Sequence, residues 1–184
     1  MTKQTFKIVD GVYVGPEVWG GALDLRGDKE TLTSLGSLTK VGDYLDLRDC
    51  TSLTSLGSLI KVGGLLDLGC TSLTSLGGSL KEVGGWLYLN GCTSLSSLGS
   101  LKKVGGWVVL IGCTNLVSLG SLKEVGGGYL QFRGHSSATR QEVQENIRYY
   151  SSLPLHEALN ALHTDKVQEV PLYKNILLQT LQGG

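Results

Sequence analysis

Residues 50–69 read CTSLTSLGSLIKVGGLLDLG, and the run returns three times without a gap, as CTSLTSLGGSLKEVGGWLYLNG over 70–91, CTSLSSLGSLKKVGGWVVLIG over 92–112 and CTNLVSLGSLKEVGGGYLQFRG over 113–134. Self-similarity of this length is the mark of stacked supersecondary units. One further copy starts near Leu25; RGDKETLTSLGSLTKVGDYLDLRD lacks the cysteine but keeps the leucines and the glycine turn. The array therefore covers about residues 21 to 134 with a period close to 21.

Each copy holds one apolar-x-apolar unit: Leu23 and Leu25, Leu45 and Leu47, Leu66 and Leu68, Leu87 and Leu89, Val108 and Leu110, Leu130 and Phe132. Period-two alternation turns both members inward, and parallel stacking at about 4.8 Å per strand makes six strands of a solenoid sheet. Leu53, Leu56 and Leu59 fill the same core from the other walls of their coil. The Gly-Gly pair before the units, Gly42-Asp43 at that of Leu45, allows a tight corner.

An L-x-L strand followed two or three positions later by Cys or Asn resembles the leucine-rich repeat family. The VGG variant is similar to the short, irregular repeats of bacterial and phage leucine-rich repeat proteins and of receptor L domains. That resemblance implies a binding scaffold that holds a protein partner on its strand face. Two features depart from it: a 21-residue period leaves no room for a long helix on the convex wall, and residues 135–184 carry no repeat.

The four cysteines, Cys50, Cys70, Cys92 and Cys113, are read as one equivalent position in successive coils, forming a buried ladder. Rungs about 4.8 Å apart spread them too far for Zn–S bonds of about 2.3 Å to one ion, so no metal is expected. Thr33, Thr54, Thr74 and Ser96 are read as turn formers, and Lys40, Lys61, Lys81, Lys102 and Lys123, interrupted by Glu82 and Glu124, as a solvated face.

With the apolar pairs inward, three outward columns remain. The first runs Ala22, Tyr44, Leu65, Trp86, Trp107, Tyr129; the second Asp24, Asp46, Asp67, Tyr88, Val109, Gln131; the third Arg26, Arg48, Gly69, Asn90, Ile111, Arg133. The early coils pair Asp24 and Asp46 with Arg26 and Arg48, a solvated and mutually neutralising surface. The later coils gather aromatics, which dominate interface energetics because they bury large areas at little rotamer cost. Tyr44, Trp86, Tyr88, Trp107, Val109, Ile111, Tyr129 and Arg133 are the expected partner-binding residues. Three occupants fit this face: a protein partner, the carboxy-terminal segment folded back, or a second copy of the chain.

Exposed coil ends need caps. Residues 1–20 are expected to supply the first, with FKIVDGVYVG as a hairpin or atypical coil covered by Trp19. The carboxy-terminal region, 135–184, reads as three helices: SSATRQEVQENIRYY, SLPLHEALNALH and VPLYKNILLQTLQ. The expected fold class is thus α+β, a leucine-rich repeat solenoid with a parallel sheet of about six strands, an amino-terminal cap and a carboxy-terminal helical appendage.

Sixteen basic and sixteen acidic residues give zero net charge, which argues against a nucleic-acid surface. No run approaches the roughly 20 apolar residues of a membrane span, and MTKQTFKIVD holds no signal-peptide core, so a cytoplasmic location is expected. Adjacent His156 and Glu157, or His163 near Asp165, do not face one another on a helix, and no nucleophile or phosphate loop accompanies them. The chain is expected to be neither an enzyme nor a cofactor binder, but a protein-binding adaptor or inhibitor, one form being a phage or bacterial blocker of a host or defence protein. A self-assembling structural protein, dimerising through the same face, is the alternative.

Overall fold

The computed structural model describes residues 4–126, apart from Thr114, Val117 and Ser118, together with the backbone of Tyr129–Gln131 and Ala138–Thr139. The described residues form a β-solenoid of about five coils with three walls. A hairpin of β1 (Lys7–Val9) and β2 (Val12–Val14) leads into it. Its turn is Asp10-Gly11, both at positive φ (50° and 78°), the conformation that matches a two-residue turn to strand twist.

Among the described residues the first wall is a six-stranded parallel sheet: β3 (Val18–Trp19), β5 (Lys40–Val41), β7 (Lys61–Val62), β9 (Glu82–Val83), β11 (Lys103–Val104) and β13 (Glu124–Val125). The second holds the leucine pairs: β4 (Leu23–Asp24), β6 (Leu45–Asp46), β8 (Leu66–Asp67), β10 (Leu87–Tyr88), β12 (Val108–Val109) and β14 (Tyr129–Gln131), closed by antiparallel β15 (Ala138–Thr139). The third is a line of single bridges, Val12–Ser34–Ser55 and then Ser75–Ser97, interrupted between Ser55 and Ser75. The leucines of all three walls meet in one core, in which both members of each pair from Leu23 to Leu110 are buried.

The six stacked leucine strands expected from the repeat are present, but the α+β class is not what the described residues form. Their one helical segment is a 3-10 turn at Arg26–Asp28. Bridges of one residue per coil suffice to close the third wall, because a 21-residue coil is spent on three short straight runs and three corners. The helices expected at 135–184 lie outside the described residues, where Ala138–Thr139 alone are placed, and these pair as a strand.

The first wall also re-registers the charged row. Lys40 and Lys61 stack on Glu82, Lys103 and Glu124, not on Lys81, Lys102 and Lys123. From Lys61 onward the outward row therefore alternates in sign, with Lys61–Glu82 and Lys103–Glu124 ion pairs of 2.9 and 3.0 Å. Valine at the next position points inward from each of these strands, buried in all of β5 to β11.

Between the two sheets the coils approach closely. A Cβ on Gly42, Gly63, Gly84, Gly105 or Gly126 would overlap the carbonyl oxygen of the glycine one coil earlier. Their φ angles are ordinary, so the requirement is for space. Gln4 finishes the exposed edge of the first wall: its side-chain amide donates to the Val18 carbonyl and accepts from the Gly20 N–H, both at 2.8 Å, as a further peptide group would. Phe6 covers the end of the core, stacked on Tyr13 at 5.6 Å and edge-on to Trp19 at 5.8 Å.

The cysteines are not four equivalent rungs. The backbone N–H groups of Cys50, Thr71, Cys92 and Cys113 make the same 3.2 Å bond, to Leu47, Leu68, Leu89 and Leu110 respectively. Thr71 is thus the second rung. Cys70 sits one place earlier, in the left-handed corner shared with Asp49, Gly91 and Gly112 (φ 61°, 60°, 71° and 80°), and is exposed. The cause is coil length: Leu53 follows Leu47 by six residues but Leu73 follows Leu68 by five, and the extra glycine of Gly77-Gly78 restores the count. The buried Cys92 thiol donates to the Leu68 carbonyl at 3.0 Å and the half-buried Cys113 thiol to that of Leu89 at 2.9 Å. Burial pushes the Cys50 thiol up to about 11, the chemistry of packing rather than of a nucleophile.

Candidate functional site

The outward face of the leucine-bearing sheet is charged at its early coils and aromatic at its later ones. In the aromatic part, Trp86 and Trp107 are stacked face to face, with ring centroids 4.9 Å apart and planes 2° from parallel. Tyr88 meets Trp86 edge-on at 5.9 Å. The coil spacing sets this geometry, since equivalent residues of adjacent strands stand one rung apart and two indoles there must lie flat on each other. Gly106 completes it, because a Cβ at that position would run into the Trp86 ring.

Trp86, Trp107 and Ile111 remain 41%, 38% and 38% exposed, and Tyr44 lies exposed further back in the first column. Val109 does not join them. It is the short side chain between Trp107 and Ile111 and is only 5% exposed, so it underlies the patch instead of forming it. The side chains of Tyr129 and Arg133 lie outside the described residues.

In the charged part, each carboxylate accepts from the backbone N–H two residues on, Asp24 from Arg26, Asp46 from Arg48 and Asp67 from Gly69, at 3.0 to 3.1 Å. Each arginine then bridges two coils. Arg26 reaches Asp24 at 2.6 Å and Asp46 at 3.4 Å; Arg48 reaches Asp46 at 2.7 Å and Asp67 at 3.3 Å. Asp46, clasped from both sides, is buried at 7% exposure and is not the solvated group expected of it. The bond from Arg26 holds the Asp24 carboxyl below its usual range.

Asp67 ends this ladder. Two guanidiniums serve three carboxylates, and position 69, where a third arginine would stand, is glycine. A groove of about 770 Å³ opens over the gap, between Arg48 on one side and Tyr88 and Asn90 on the other, with Asp67 and Gly69 in its floor and the Cys70 corner at its edge. The columns contained this break, in the run Arg26, Arg48, Gly69; what they lacked was the side-chain geometry that makes an absent arginine a hollow.

Burial holds the Asp67 carboxyl above its ordinary value, against the opposing pull of the Gly69 N–H and of Arg48. A carboxyl raised on folding favours the folded state when protonated and loses that advantage as pH rises through its raised value. Asp67→Asn keeps an acceptor for Gly69 and removes the charge. The variant is therefore expected to gain stability relative to wild type as pH climbs from about 4 towards neutrality. Thermal melts across that range check this, and parallel curves would mean that Asp67 is fully compensated.

Among the described residues no group of His, Cys, Asp and Glu is arranged to hold a metal ion, and no helix is long and apolar enough to cross a membrane. No protein-family profile, curated protein or solved structure matches the chain.

Proposed function

We propose that the chain is a non-catalytic binding module, an adaptor or inhibitor, that takes a protein partner on the outward face of its leucine-bearing sheet. The observation that carries this reading is the stacked Trp86–Trp107 pair, two large rings held rigidly by a sheet yet about two-fifths exposed. Rigid aromatics of this kind lose little entropy on binding and make the energetic centres of interfaces. The resemblance of the repeats to bacterial and phage leucine-rich repeats makes a cytoplasmic blocker of a host or defence protein one form of this function.

The test is affinity isolation with wild type beside a Trp86→Ala/Trp107→Ala variant. A partner of the face is expected to bind the variant about tenfold more weakly or worse. A partner held equally by both would remove the site. Light scattering after size exclusion covers the alternative, dimerisation through the same face, which predicts a concentration-dependent dimer that the variant loses.

A further inference from the structure

We infer that the partner presents an arginine whose guanidinium enters the groove over Gly69 and completes the Asp–Arg ladder. This rests on the reading of the face as a partner surface and specifies what that partner carries.

The ladder itself defines the occupant. Each arginine of the ladder lies in the third column with one nitrogen on the carboxylate of its own coil and another on that of the next. On the third coil that column holds Gly69, so Asp67 receives Arg48 from one side and no guanidinium of its own. Charge agrees, since the groove is lined by four carboxylates, Asp43, Asp46, Asp49 and Asp67, against the single guanidinium of Arg48. Asp67 is already largely buried and is fixed by the Gly69 N–H, so a cation meets a preorganised acceptor.

The far wall includes Tyr88, which is itself braced edge-on by Trp86. A planar guanidinium can stack on a ring while donating in its plane to a carboxylate, which an ammonium cannot do as well. Asn90 adds a polar group at the rim. The groove also reaches Tyr44 and Leu65 in the first column, so the arginine would be followed by apolar side chains lying towards Trp86.

Gly69→Arg supplies the missing rung from within. A Cβ there meets Asp67 Oδ1 at 3.3 Å, Asn90 O at 3.5 Å and Arg48 Cγ at 3.8 Å, and φ at 69 is not positive, so the substitution asks only that the Asp67 side chain give slightly. The experiment is selection of a displayed random linear peptide library on the full-length chain, followed by affinity measurement on variants. Arginine should be enriched in the selected peptides over lysine. Their affinity should fall about tenfold or more on Gly69→Arg, which fills the groove, and on Asp67→Asn, which removes the negative charge without adding bulk. Peptides without arginine enrichment, or binding both variants as tightly as wild type, overturn the inference. If those peptides still require Trp86 and Trp107, the proposed function stands alone. Peptides indifferent to the tryptophans as well, or a selection that yields no binder, overturn both.

Discussion

Gly84→Ala is expected to destabilise the chain by about 3 kcal/mol or more, the upper end of what one added methyl does in a packed interior. Gly84 lies in the middle of the row Gly42, Gly63, Gly84, Gly105, Gly126, and its new Cβ would overlap the Gly63 carbonyl. No side chain is available to turn aside, because the obstacle is backbone. The Gly84 N–H is also bonded to the Val62 carbonyl at 2.8 Å, so the two coils cannot separate without stretching the ladder on either side. Solenoid stability is a sum of coil and nearest-neighbour terms, and a wedge between central coils weakens the coupling of the whole array. Gly21→Ala is the control, with open space around its Cβ and no positive φ, and it should be neutral or slightly stabilising. Chemical denaturation of the two variants decides the matter; equal midpoints would mean that the glycine row answers no packing demand.

Leu66→Ala follows, at about 3 kcal/mol within the 2–5 range for fully buried leucines. Leu66 is fully buried and registers with Leu45 on one side and Leu87 on the other. A rigid stack on both sides limits collapse into the cavity, so the cost should not fall to the low end. Leu65→Ala, at the neighbouring outward position, should cost less than about 1 kcal/mol. Urea unfolding of the pair measures the difference directly, and similar losses would contradict the assignment of inward and outward positions.

The leucine-bearing wall was legible because its period-two pairs recur without exception and each is framed by a glycine corner. The first wall was not. Its strands are two residues long, too short for alternation to register, and the tandem Lys81 and Lys102 beside Glu82 and Lys103 invited a row one residue out of step. The cysteines misled for a related reason. Identical CTSL strings suggest identical rungs, yet a shortened segment after Leu68 moves Cys70 into the corner and Thr71 into the core. Sequence similarity aligns letters, whereas hydrogen bonds align positions. On the face, Trp86 and Trp107 could be paired from column position alone, but the burial of Val109 and Asp46 depends on the height of neighbouring side chains.

An array of near-identical coils offers every surface several times over, and a ligand that reads such a surface can slide from one copy to the next. Translational symmetry has to be broken for a binder to have a single address. Here the break comes from a change of one residue in length: the coil that loses a residue after Leu68 and regains it at Gly77-Gly78 is also the coil where the third wall is interrupted and the arginine column falls silent. One slipped coil thus turns a periodic scaffold into a molecule with a distinguishable middle.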